Sequence, residues 1–474
     1  MIKIIELSLK GEVYKGEIKM EKFFKLKENN TSVKTEILAG ITTFLAMAYI
    51  LAVNPSMLGL TGMNTGSVFT ATALSSAIAT VVMAILTNYP IALAPGMGLN
   101  AYFAFTVCLG ELEGIENPWQ IALTAVLIEG IIFILLSTVK FRETILNNIP
   151  TNIKHGITTG IGLFITLTGL QNASITVYNS STILTLGNLG SISVILTFIG
   201  VILIGAMIYY KIKGAILWGI LAIWGLGIIA QICGVYTVNE ELGLYSLIPQ
   251  ISGISDFMPQ SLGPTFMKFN FAWVADNVLK FSIIVFSLLF VDLFDTVGTL
   301  VGVAEKGNLL DEKGNLPKAG RALSADAIGT VAGACLGTST VSSYIESSAG
   351  VAEGGKTGLT ALTTAVLFIL ALFLWPIFKA IPNFATAPAL IIVGLFMISS
   401  ILKMKFDGDI ADALGGFMAI IMMPFTYSIA NGIMFSILTW IILKLIEKKQ
   451  KDIHPIIYII SALFVLRILY IILQ

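Results

Sequence analysis

Charge is what this chain of 474 residues has least of. Only 12% of its residues are Asp, Glu, Lys or Arg and 56% are hydrophobic, whereas an ordinary soluble domain carries about 25% charged residues. That scarcity excludes a soluble globular domain and places the chain among polytopic membrane proteins. The charge present is balanced, 28 basic against 28 acidic side chains, so there is no net field for nucleic acid or an acidic partner. Histidine occurs only at His155 and His454, both near the ends of apolar runs, and neither reads as a proton relay. Cys108, Cys233 and Cys335 stand singly in apolar segments, with no disulfide or metal-ligand spacing. They read as packing residues, and neither a metal nor a cofactor is implied. No nucleophile–base pair and no loop long enough for a catalytic domain is present, which argues against an enzyme.

Residues 1–33 are dotted with lysines and contain no apolar core of signal-peptide length, so they read as a cytoplasmic leader. Met20 offers an alternative start, which would make residues 1–19 an extension. Beyond the leader, about 20 apolar residues cross a bilayer as a helix. By that measure the sequence predicts spans over 34–53, 66–88, 118–139, 152–171, 191–209, 214–234, 278–303, 357–378, 386–402, 409–427 and 429–446. Two further regions, 90–109 and 322–353, are apolar but interrupted by Gly, Ser, Thr or Pro, and both must cross for the loops to alternate.

Basic residues then set the orientation. Lys140, Arg142, Lys211, Lys213, Lys306 through Arg321, Lys403, Lys405 and Lys444 through Lys451 fall on the side of the leader, while loops 54–65, 110–117 and 172–189 contain no Lys or Arg. The expected fold is an all-α polytopic membrane protein of fourteen transmembrane spans, N-terminus cytoplasmic, in the cell membrane. The apolar run 453–473, which contains Arg467, reads either as a fifteenth span or as a helix laid against the bundle.

Two echoes divide the chain. ALSSAIAT (73–80) returns as ALSADAIGT (322–330), with six of eight paired positions identical around one inserted residue. IPTNIKHGITTGIGLFI (149–165) returns as IPNFATAPALIIVGLFM (381–397) at an offset of 232. Seven spans per half is an odd number, so the second copy enters the membrane from the opposite side. Two inverted seven-span repeats are the plan of many secondary transporters. The first runs over 34–235 and the second over 278–447, joined by an extracytoplasmic linker at 236–277 and followed by the apolar segment 448–474.

The interrupted crossings occupy matching positions in the two halves. Pro90, Pro95, Gly96 and Gly98 mark the first, and Thr338, Ser339, Thr340, Ser342 and Ser343 the second. Broken backbone at membrane depth persists only where protein or water surrounds it. Each region reads as a short extended segment followed by a half-helix. Half-helices from opposite faces would bring their N-termini together near the midplane, favouring an anionic or acceptor-rich ligand. Close packing through small residues is the plainer alternative, and recurrence in both halves favours a site.

Carboxylates complete the pattern. Each costs about 2.5–3.5 kcal/mol at mid-bilayer on insertion scales, yet the spans hold Glu129, Asp292, Asp295, Asp326 and Glu346, with no Lys or Arg expected at comparable depth. In FVDLFDTVGTL (290–300), Asp292 and Asp295 share one helix face with Thr296 and Thr299. The candidate substrate-binding residues are Asn100, Asp292, Glu346, Gly98, Thr338 and Ser339, with Glu346 placed a few residues into the second half-helix. Asp292, Asp295 and Glu346 are the candidate proton carriers, since histidine is not available for that role. Asp292 is preferred for the substrate contact, while Asp326 and Glu129 read as scaffold. For Asp295 a scaffold role, orienting Asp292, weighs equally.

The stretches TEILAGITTFLAMAYILAVNP (35–55), APGMGLNAYF (94–103), FVDLFDTVGTL (290–300), ALSADAIGTVAGACLGTSTVSSYIESSAGVAEGGKTG (322–358) and MPFTYSIANGI (423–433) resemble the AzgA-type purine permeases of the nucleobase–cation symporter-2 group. The resemblance implies core spans up to about 140 and over 278–379, and gate spans over 150–235 and 386–447. It also implies a substrate seated between the third and tenth crossings beside the eighth helix. The expected substrates are adenine, guanine or hypoxanthine, taken up with a proton by alternating access, with a homodimer through the gate domain compatible with that plan. Alternatives on the same fold carry xanthine, uracil or a small anion. Three carboxylates at the site argue against an anion, and a passive channel would not need a duplicated binding site.

Overall fold

The computed structural model describes residues 21–138, 149–238, 245–249, 251, 253–307, 309 and 316–473. Most of the leader, the alternative start at Met20, and the loop residues Lys140 and Arg142 lie outside the described residues.

Helices dominate. The first apolar run is α1 (Val33–Met47) and α2 (Ile50–Gly59), followed by α3 (Thr65–Thr87), strand β1 (Leu93–Pro95) and α4 (Met97–Ala101), which continues as a π-helix over Tyr102–Glu111. Next come α5 (Pro118–Thr138), α6 (Thr151–Asn172), the hairpin β2–β3 (Thr176–Asn179 and Ile183–Leu186), α7 (Ile192–Tyr209) and α8 (Ala215–Ile232). The second half holds α9 (Phe271–Asp276), α10 (Val278–Lys306), α11 (Ala319–Leu336), strand β4 (Val341–Ser343), α12 (Ser347–Ala352) and α13 (Gly358–Ala371). It ends with α14 (Trp375–Lys379), α15 (Asn383–Ile398), α16 (Ile410–Phe425), α17 (Ile429–Ile446) and α18 (Pro455–Leu473). Among the described residues, eight helical stretches are long and apolar enough to cross a membrane, and Ile410–Phe425 and Pro455–Leu469 are shorter apolar helices.

Local chemistry explains the boundaries. Asn64 caps α3 by accepting from the Ser67 N–H at 2.9 Å, and Asn88 ends it in the left-handed region at φ +61°. The span predicted as continuous over 34–53 is tightened at Ala48–Tyr49, where Leu51 and Ala52 donate to carbonyls three residues back. The described part of 453–473 is helical, and α18 packs against α17.

Packing separates two groups. Helices α6, α7, α8, α15, α16 and α17 contact one another, whereas α1, α3, α5, α10, α11 and α13 pack around β1, β4 and α12. Close approach in the first group depends on Gly156, where a Cβ would collide with the backbone of Gly416. Phe198 and Ile202 of α7 point away from the protein, as lipid-facing side chains do. In the second group a wholly buried Glu36 caps α13. Its carboxylate accepts from the N–H groups of Lys356, Thr357 and Thr360 at 2.9, 3.2 and 3.3 Å, and from the Thr360 hydroxyl at 2.6 Å.

At the other end of α16, Asp409 accepts from the Ala411 N–H at 3.0 Å and from the ammonium groups of Lys444 and Lys449, both at 2.7 Å. Burial pushes the Asp409 carboxyl up, but the Lys444 and Lys449 hydrogen bonds outweigh it and hold the carboxyl well below the usual carboxylate range. A carboxyl depressed in the folded state stabilises above its unfolded value of about 3.9 and loses that contribution as pH falls through and below it. Thermal unfolding in detergent should therefore show a stability loss below about pH 4 that is smaller in Asp409→Asn. Identical acid profiles for the two proteins would remove this cluster as the cause.

Candidate functional site

The two interrupted crossings meet as a two-stranded antiparallel sheet. Leu93 faces Ser343, Ala94 faces Ser342, and Pro95 faces Val341. Because the strands are antiparallel, the chain leaves this short sheet toward α4 and α12 in opposite directions, from strand ends Pro95 and Ser343 roughly 7 Å apart along the strands. The Gly96 N–H extends the ladder to Thr340 O at 3.1 Å, and the Tyr344 N–H extends it to Ala92 O at 3.0 Å. Flanking hydroxyls serve the outer edges. Thr80 of α3 accepts from the Leu93 N–H at 2.9 Å, and Thr330 of α11 donates to Val341 O at 3.0 Å. Thr80 and Thr330 are the last residues of the two echoed words.

Around this sheet the carboxylates take neutral partners. Asp295 Oδ2 accepts from the Ser342 hydroxyl at 2.9 Å, and Glu346 Oε1 accepts from the Tyr49 hydroxyl at 2.7 Å. Glu129 Oε2 accepts from the Thr340 hydroxyl at 2.8 Å. Thr296 Oγ1 lies 3.0 Å from Asp292 Oδ1 and 2.9 Å from Asp326 Oδ2. A hydroxyl has one proton, so both contacts are hydrogen bonds only when one of the two carboxyls is itself protonated. Asn100 Oδ1 accepts from the Ser339 hydroxyl, joining the first crossing to the second.

Asp292, Asp326, Glu129 and Asn100 are fully buried, whereas Asp295 and Glu346 keep part of their surface accessible. Gly96 leaves the space in front of Asp295. A Cβ there would come within 2.5 Å of Ser342 Oγ and 3.0 Å of Asp295 Oδ2.

The structure thus brings together Asn100 and Ser339, sets Asp295 beside Gly96 and Ser342, and holds Asp292 against Thr296. Thr338 bonds instead to Asn54 Nδ2 at 2.8 Å, and Gly98 packs toward Ile161 of α6. Glu346 differs from the sequence expectation. It immediately precedes α12, because three residues, Tyr344, Ile345 and Glu346 itself, intervene between β4 and the helix. A cation is also buried. Arg467 is 4% exposed and donates to Ser287 Oγ at 2.7 Å, on the same helix as Asp292, although the carboxylate it pairs with is Glu111 at 2.9 Å.

Tyr49, Gly96, Ser342 and Thr296 were not among the predicted site residues. Their sequence signal is faint: all four stand in the motif stretches, but their partners are up to 297 residues away.

A model of the permease family Xan_ur_permease matches residues 34–435. A guanine/hypoxanthine permease of Bacillus subtilis (strain 168) is 43% identical over 463 residues, covering 95% of this chain and 99% of that protein. An adenine permease of Escherichia coli (strain K12) is 38% identical over 456 residues, covering 96% and 97%. Among solved structures, the transmembrane domain of a cyanobacterium bicarbonate transporter superposes with a TM-score of 0.62 at 18% identity, covering 84% of this chain and 97% of that one, a likeness of fold alone. This chain belongs to the Xan_ur_permease family of membrane permeases, in its nucleobase–cation symporter-2 group.

Proposed function

We propose that the protein takes up purine nucleobases (adenine, guanine or hypoxanthine) across the cell membrane with a proton, by alternating access. The observation that carries this reading is the pair of accessible carboxylates, Asp295 and Glu346, set on either side of the junction of two broken crossings. Family membership and the purine permeases among the relatives support the substrate class.

A neutral purine presents N–H donors on one edge and ring-nitrogen acceptors on another. Asp295 and Glu346 accept from the donors, while the Asn100 amide N–H, oriented by the Ser339 hydroxyl on its Oδ1, serves an acceptor. Asp292 is buried against Thr296 and Asp326, so we place the proton there rather than the substrate. A site built on such hydrogen bonds rejects bases that would leave its buried groups unpaired. Xanthine or uracil on the same fold is the alternative a substrate panel decides. A small anion is disfavoured by the carboxylates.

The arrangement we infer has fourteen spans in two inverted sevens, with the N-terminus cytoplasmic. The group around β1 and β4 acts as core and the group around α6 and α16 as gate. The matching roles of Thr80 and Thr330 support the duplication. Rocking of core against gate would carry base and proton together. One charge moved through 100 mV supplies ~2.3 kcal/mol, enough for roughly 50-fold accumulation.

Three measurements test this. Radiolabelled adenine, guanine, hypoxanthine, xanthine and uracil are offered to a host that lacks its own purine permeases. Purines should enter and compete with one another, and Glu346→Gln and Asp295→Asn should each abolish high-affinity uptake while the protein stays folded and monodisperse. If no purine enters, the substrate reading is lost. Tyr49→Phe removes the hydroxyl that orients Glu346 and should raise KM about tenfold, in keeping with a hydrogen bond to a charged group. An unchanged KM would take Tyr49 out of the site. Collapse of the proton gradient should abolish accumulation without blocking exchange of base across the membrane. Accumulation sustained by a sodium gradient alone would identify the wrong coupling ion.

A further inference from the structure

A cavity of about 540 Å³ lies beyond Asn100, at the far end of the same crossing. Its lining includes Phe105 and Glu111 of the π-helical stretch, Lys280 of α10, Tyr427 and Asn431 at the α16–α17 junction, and Arg467 of α18. On the orientation proposed above, this end faces outward. The volume falls within the ~300–1,000 Å³ of small-ligand pockets.

Arg467 gives the cavity a built polar wall. Its Nη1–H donates to Ser287, and its Nη2–H groups donate to Glu111 at 2.9 Å and Asn431 at 3.4 Å. A guanidinium has five N–H donors, so two remain beyond these three. Opposite stands an aromatic wall. Tyr427 packs edge-to-face on Phe105 with centroids 5.9 Å apart and on Phe164 at 5.1 Å, and its hydroxyl bonds Gln171 at 2.7 Å. Its backbone is held at φ +51°, a region a bulky residue seldom adopts. Phe164 is three residues beyond Ile161, toward which Gly98 packs. Tyr427 therefore stands against both the π-helical stretch that continues from Asn100 and α6.

We propose that this cavity is an outer binding site for the same planar nucleobase, filled before the base reaches the midplane, with Tyr427 as the partition between the two. The aromatic faces supply a flat wall for the heterocycle. Arg467 and Lys280 donate to ring nitrogens and exocyclic oxygen, and Glu111 and Asn431 accept from N–H groups. The proposal rests on the purine reading, and the test separates the two.

Thr426, which also lines the cavity, is replaced by Cys in a chain whose three native cysteines are Ala. Labelling by a membrane-impermeant maleimide is timed with and without hypoxanthine, after uptake by the same chain has been measured. With hypoxanthine at about four times its dissociation constant, labelling should slow about fivefold. The same slowing should persist when Glu346→Gln has disabled the midplane site, and Arg467→Gln should remove it. Protection that disappears with Glu346→Gln overturns the outer site while leaving the midplane site intact. Absence of protection in a chain that transports hypoxanthine overturns it as well. A chain that transports no purine sinks the purine reading, and this proposal with it.

Discussion

A bilayer interior offers backbone groups no water to bond with, and the two interrupted crossings meet that constraint by bonding to each other. An N–H or C=O without a partner in hydrocarbon costs several kcal/mol, and a strand of three residues has two edges to satisfy. Pairing β1 with β4 closes one edge of each strand, and Thr80 and Thr330 serve the edges left over. The Tyr344 hydroxyl takes up Pro95 O at 2.6 Å, and Ser347 Oγ accepts from the Ala92 N–H at 3.0 Å. Once these bonds are made, the positions of the side chains in the proposed site follow. Asn100 is carried on α4, Glu346 stands just before α12, and Ser342 projects from the strand itself.

The same constraint governs which sequence features could be read. Apolar length revealed most helices, and the repeated words located both broken crossings. Gly and Pro in the first interrupted region and Ser and Thr in the second predicted extended segments, which are β1 and β4. Direct pairing of the two was not legible, because a strand of three residues has no periodicity to detect. Glu346 was displaced for a related reason: the turn between Ser343 and Ser347 is set by bonding to Ala92, 255 residues away for Ser347. Tyr49 was hidden because an aromatic residue in an apolar helix reads as packing, and only the fold shows its hydroxyl against Glu346.

Periodicity placed Asp292 and Asp295 on one face, and they do share a helix, yet their surroundings differ. Asp295 meets Ser342 across the space left by Gly96, whereas Asp292 is enclosed with Thr296 and Asp326. One turn of helix therefore separates an accessible carboxylate from an enclosed one. That separation suits a division of labour in which one group meets substrate and the other holds a proton. No pattern within α10 encodes it, since the enclosing residue, Asp326, comes from α11.

The choice of partners follows from what a transporter site must be able to undo. A Lys or Arg beside Asp295 or Glu346 would satisfy the carboxylate permanently, and breaking a buried pair leaves an uncompensated charge at a cost of about 3–5 kcal/mol. A neutral hydroxyl stabilises the carboxylate by less, about 1.5–3 kcal/mol for a bond to a charged group, so on the binding proposed above an N–H of the base would compete with it on similar terms. A charged partner is found instead at the far end of the π-helical stretch, where Arg467 meets Glu111. There the tie between α18 and the π-helical stretch leaves the hydroxyl contacts of Asp295 and Glu346 untouched. The ion pair holds α18 to the π-helical stretch, and the hydroxyl–carboxylate contacts of the proposed site are of a kind that another set of hydrogen bonds can replace.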